Sequence, residues 1–142
     1  MNTIPKRIGS HPGQAACLLA ALVLLGACAP LEEKGGLPDI PVNITFNESH
    51  CPEKVDPENP TVNKASNQRL VWQAVDGVGK PIAEGFAIYF DPFKGRPLTA
   101  NNKGYLRSPR FDSDTPAKVQ YKYTVRGERC PDKPLDPRFF LD

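Results

Sequence analysis

The chain is predicted to be all-β, a small antiparallel β-sandwich of one domain. Three observations carry this expectation. Lys118 to Gly127 (KVQYKYTVRG) sets Val119, Tyr121, Tyr123 and Val125 on alternate positions, the period of a half-buried strand. No window of the chain carries a convincing helical period. Prolines number 16 and glycines 11 in 142 residues, so short extended runs are cut by frequent turn signals.

Each element follows in order. From Pro41 the pattern has period two: Val42, Ile44 and Phe46 alternate with Asn43, Thr45 and Asn47, which predicts a half-buried strand. Cys51 to Pro60 (CPEKVDPENP) is too rich in proline for regular pairing and reads as a loop or irregular edge. Thr61 to Lys64 suits a short strand. Arg69 to Val75 (RLVWQAV) is a stronger one, with Trp72 as core anchor, and Asp76 to Lys80 (DGVGK) supplies the turn after it. In Gly85 to Phe90 (GFAIYF), Phe86, Ile88 and Phe90 share one face and Tyr89 takes the other. A strand apolar on both faces belongs in the middle of a sheet. Pro97 to Pro116 reads as loops with one short edge strand around Tyr105. The apolar ending Phe139-Phe140-Leu141 predicts a last strand that is docked rather than frayed.

Ahead of this domain lies a leader. Lys6 and Arg7 open it, and Ala15 to Ala27 is an apolar run of about 13 residues. A membrane-spanning helix needs ~20 residues, so the run fits the core of an export signal. It lacks a polar face, unlike an amphipathic core helix. Leu25-Gly26-Ala27-Cys28 then resembles the lipobox of bacterial lipoproteins. The resemblance implies removal of residues 1–27 and lipidation of Cys28 at its sulfur and new amino group. Several acyl chains hold far more firmly than one, at about 0.8 kcal/mol per buried methylene. Ala29 stands where an aspartate would signal inner-membrane retention, so the implied address is the outer membrane, facing the periplasm. Residues 28–40 (CAPLEEKGGLPDI) read as a flexible tether, and 41–142 as the sandwich.

With Cys17 removed and Cys28 acylated, Cys51 and Cys130 remain in a compartment that permits disulfides, and they are expected to pair. A metal site is the competing use, but adjacent His50 and Cys51 rarely converge on one ion, and His50 is the sole histidine after the leader. CPEKVDP (Cys51 to Pro57) and CPDKPLDP (Cys130 to Pro137) echo one another with one insertion. The echo predicts two proline-stiffened loops at one end of the sandwich. Joined, they would offer Glu53, Asp56, Asp132 and Asp136 to a divalent cation, with Lys54 and Lys133 opposing it.

The order of features from Pro41 to Leu141 resembles the cupredoxin-like fold: a strand with Trp (RLVWQAV), a turn, an apolar strand (GFAIYFD), a long loop, YKYTV and a last strand after LDPRFF. An immunoglobulin-like sandwich is the alternative. The resemblance does not extend to copper, which requires two His and a Cys with an axial Met in blue-copper sites. Phe86 and Val125 stand where the first His and the ligand Cys would be, and the one Met is Met1. No metal or other cofactor is expected.

After the leader, 16 basic residues balance 16 acidic ones, so nothing in the charge attracts nucleic acid. No nucleophile elbow or glycine-rich phosphate loop is present, and catalysis is not expected. The expected role is a lipid-anchored module that binds or supports another, unidentified envelope protein. Tyr89, Phe93 and Tyr105 are the candidate contact aromatics. A periplasmic carrier of a ligand or metal on a degenerate cupredoxin frame is the alternative.

Overall fold

A computed structural model describes residues 36–93 and 96–142. Residues 1–27, Cys28 and most of the tether lie outside the described residues. The described chain is all-β, with eleven strands: β1 Ile40–Phe46, β2 Pro52–Asp56, β3 Thr61–Val62, β4 Leu70–Val75, β5 Phe86–Tyr89, β6 Leu98–Thr99, β7 Tyr105–Arg107, β8 Val119–Lys122, β9 Thr124–Gly127, β10 Cys130–Leu135 and β11 Arg138–Leu141. They form three sheets, ordered β2-β1-β4-β7, β10-β9-β5-β6 and β3-β11-β8. The inner faces of all three contribute to one core, giving a sandwich-like domain.

The alternation in β1 places Val42, Ile44 and Phe46 inside and leaves Asn43 exposed. Trp72 is 1% exposed and anchors β4. β5 lies between β9 and β6, the central position its apolar faces called for. β7 is an edge strand on β4, and β11 is docked between β3 and β8, with Phe139 and Leu141 buried.

The pairing is mixed rather than purely antiparallel. β1 runs parallel to β4, with Val42 opposite Trp72, and β3 runs parallel to β11. A parallel pair needs a long crossover. Residues 47–69 provide it, carrying β2 and β3 on the way.

One expectation is met and two are corrected. The proline-rich Cys51–Pro60 segment, read as a loop or irregular edge, carries the edge strand β2, which pairs antiparallel with β1 with a shift of register. An outer strand tolerates proline, since one row of its backbone groups needs no ladder partner. The alternating stretch 118–127 is not one strand. It breaks at Tyr123, sending β8 to one sheet and β9 to another, so Val119 is exposed while Tyr123 and Val125 are buried. The tether ends before Ile40, which is already in β1. Pro38 accepts a hydrogen bond from the Gln68 amide (2.7 Å), and Asp39 pairs with the Arg107 guanidinium (2.5 Å).

At the core's centre, Trp72 Nε1 donates to the Tyr123 hydroxyl at 3.3 Å. Burial pushes the Tyr123 phenol up to about 12, against a smaller lowering by the Trp72 bond. Above about pH 10 the unfolded chain loses this proton while the native state keeps it. Native stability is therefore expected to fall by about 2–3 kcal/mol as pH rises from about 10 to about 12. Urea midpoints across that range should show this fall in the native sequence and lose it in Tyr123→Phe.

Candidate functional site

Cys51 and Cys130 form a disulfide, with Cα atoms 5.1 Å apart and a sequence separation of 79. Cys51 immediately precedes β2 and Cys130 opens β10, each the outer strand of its own sheet. The CPEKVDP and CPDKPLDP echo therefore marks two edge strands set side by side, not two loops, and the bond bridges one sheet to the other. The crossing is close. A Cβ on Gly127 would lie 3.0 Å from Pro52 Cδ and 3.3 Å from the His50 carbonyl oxygen, so a glycine fits there with least disturbance.

The residue before each cysteine is basic, His50 in one case and Arg129 in the other, and the bridge brings them together. His50 Nδ1 lies 2.7 Å from Glu84 Oε2, and an Arg129 guanidinium nitrogen lies 3.1 Å from His50 Nε2. Arg129 Nε is 3.7 Å from Glu84 Oε1. Arginine only donates, so His50 Nε2 accepts and Nδ1 carries the hydrogen that Glu84 accepts. The Glu84 side chain is only 6% exposed, and this pair of partners is what makes its burial tolerable. A histidine backed by a buried carboxylate resembles half of an acid–base dyad. Here the nitrogen that would take a substrate proton is already held by Arg129, so the geometry is that of a structural clasp. The repeated basic residue ahead of Cys-Pro was the available sequence signal for His50 with Arg129. Glu84 had none, because only the β4–β5 connection brings it near.

Strand direction sorts the loops into two ends. β1 runs from Ile40, where the chain enters, to Phe46, and β4 runs parallel to it. The 47–51 loop, the 76–85 connection, the 100–104 turn and residues 128–129 therefore cluster at the end opposite chain entry. A cleft of about 540 Å³ opens there. Ile82 and Ala83 give it apolar surface, Glu48, Asp76 and Val78 stand around it, and the His50–Glu84 pair forms one wall. Val78 is 90% exposed, yet its turn is tightly held. The Asp76 carboxylate accepts from Val78 N (3.0 Å) and Lys80 N (2.8 Å), and Gly79 takes φ +82° to close it.

A second cleft, about 410 Å³, lies where β2 and β10 end. It gathers Glu53, Asp56 and Asp136 from the acidic set expected at the echo, adds Glu58, and leaves Asp132 out of its lining. The Asp136 carboxyl is held below its ordinary range by the Thr124 hydroxyl (2.7 Å) and the Lys122 ammonium (3.0 Å). Among the described residues no group of three His, Cys, Asp or Glu side chains is disposed to hold a metal ion. Phe86 and Val125, the positions matched to copper ligands, are both buried.

The three candidate contact aromatics do not form one patch. Tyr89 lies on the outer face of β5, its ring covered by the Arg126 guanidinium 4.9 Å from the centroid. Tyr105 belongs to β7 in a different sheet. Phe93 is half-buried, packs edge-on against Phe90 (4.7 Å) and lies tilted against Phe111 (5.4 Å), so it extends the core. Alternation could not assign Phe93, which follows the end of β5.

No protein-family model matches this sequence, and no curated protein matches it. Among solved structures, the chain is similar to the N-terminal domain of phage TP901-1 ORF48, at 9% identity and a TM-score of 0.45, over 75% of this chain and 99% of that one.

Proposed function

We propose that this chain is a lipid-anchored module of the bacterial envelope, facing the periplasm, which binds or supports another envelope protein through its loop end and catalyses nothing. The observation that carries the reading is the order positive start, apolar run, Leu25-Gly26-Ala27-Cys28 and tether. The loop end is chosen as the binding end on the placement of its cleft. A chain tethered ahead of Pro38 enters at one end of β1, and the 540 Å³ cleft opens at the other, about 20 Å away along a seven-residue strand. The clasp of Glu84, His50 and Arg129 holds the loops of that end in fixed positions, and pre-ordered loops lose less entropy on binding.

Metabolic labelling with a fatty acid is expected to mark the native protein. Cys28→Ala should abolish the label and release the protein from the membrane fraction. An unlabelled native protein ends the anchoring reading. A photocrosslinking residue at Val78 is expected to capture a partner in cells, and the same residue at Arg107, near chain entry, is not. Equal capture from both ends would remove the loop end as the interface.

A further inference from the structure

We infer that the loop-end cleft docks a basic segment of a partner protein, a lysine or arginine side chain flanked by an apolar residue. The inference rests on the reading of the loop end as the interface and names the partner's chemistry. The cleft is apolar along Ile82 and Ala83 and touches the edge of buried Phe46, while carboxylates of Glu48, Glu53 and Asp76 surround it with Glu84. Glu84 is answered by the cationic Arg129 together with His50, whereas among the described residues Glu53 and Asp76 accept only neutral donors, the Asn47 amide (2.8 Å) and the backbone of Val78 and Lys80, and no lysine or arginine lines the cleft to balance their charge. The mature chain is balanced in charge, so this excess belongs to the cleft and not to the protein at large. A lysine or arginine suits such a surface because its methylene stem covers apolar atoms while its head reaches carboxylates.

Val78 supplies the second contact. It is an apolar side chain 90% exposed at the rim, on a turn fixed by three hydrogen bonds to Asp76. Covering it would remove apolar area from water without ordering a mobile loop. The nearest cations in sequence, Lys80 on the same turn and Arg129 just before β10, lie outside the lining of the cleft, and Arg129 is engaged with His50 and Glu84.

The test uses the full lipidated protein in non-ionic micelles, with empty micelles as the blank. The probes are three fluorescent hexapeptides of alternating leucine and lysine, leucine and glutamate, and serine and lysine. Anisotropy should show the leucine–lysine peptide bound about tenfold more tightly than either other peptide. Glu48→Lys and Val78→Ser should each weaken it about fivefold. Raising salt from about 50 to about 300 mM should weaken it several-fold, because the attraction is screened. Equal affinity for the glutamate peptide, or a leucine–lysine affinity unmoved in both variants, overturns the inference. If Val78 still photocrosslinks a partner in cells while the basic peptide fails to bind, the basic-segment inference falls and the loop-end interface stands.

Discussion

Loss of the bridge, by reduction or by the paired change Cys51→Ser with Cys130→Ser, is expected to lower the domain's stability by about 4 kcal/mol. The bond spans 79 residues, and closing so long a loop removes much of the unfolded chain's freedom. The native state loses something too. β2 and β10 are edge strands with proline in each, and they meet across the boundary between two sheets. The bridge also brings Arg129 to His50 and Glu84, so its removal loosens the clasp around a buried carboxylate. Domains of this size are held by roughly 5–15 kcal/mol in all, which makes the effect a large fraction of the total. The single tryptophan, Trp72, is buried and reports unfolding directly. Urea titrations followed by its fluorescence should show a much lower midpoint in reductant. Coincident curves with and without reductant, or two free thiols in protein purified without it, would contradict the bridge's role.

Phe139→Ala is expected to cost about 4 kcal/mol, in the range of buried aromatic truncations. Phe139 is 1% exposed, and its ring meets those of Phe90 (5.2 Å), Phe111 (5.6 Å), Tyr121 (5.6 Å) and Tyr123 (6.1 Å). Those rings come from β8, from the break before β9 and from the segments after β5 and β7, so one deletion opens a void shared by several elements. The surrounding rings are themselves packed edge-on and cannot all collapse into it. Phe139→Leu keeps most of the volume and should cost less than half as much. The same urea titration decides. A midpoint for Phe139→Ala within error of the native value would mean that β11 is not integral to the core, against its place between β3 and β8.

Much of this architecture was legible in the chain because a strand's two faces repeat every second residue. Val42, Ile44 and Phe46 could be assigned inward, Trp72 to the core and β5 to the middle of a sheet from that repeat alone. The Cys51–Cys130 pair was expected once Cys17 and Cys28 were assigned to the proposed leader and anchor, and the disulfide is present. Alternation is blind to which sheet a strand joins. It could not show that Tyr123 is a joint between two sheets, that β1 lies parallel to β4, or that Phe93 turns back onto Phe90. Proline content left β2 open between a loop and an irregular edge, and pairing with β1 makes it an edge strand, where proline is permitted.

By itself the sequence determined the strand-forming segments, the buried side of most of them and the cysteine pair. Only the tertiary structure decided that the two Cys-Pro segments are edge strands of different sheets, that Glu84 is drawn into the clasp with His50 and Arg129, and that Val78 and Glu48 border one cleft. The reason is that local pattern records solvent exposure along one strand, whereas these groupings depend on long-range pairing between segments whose order in space no local pattern encodes.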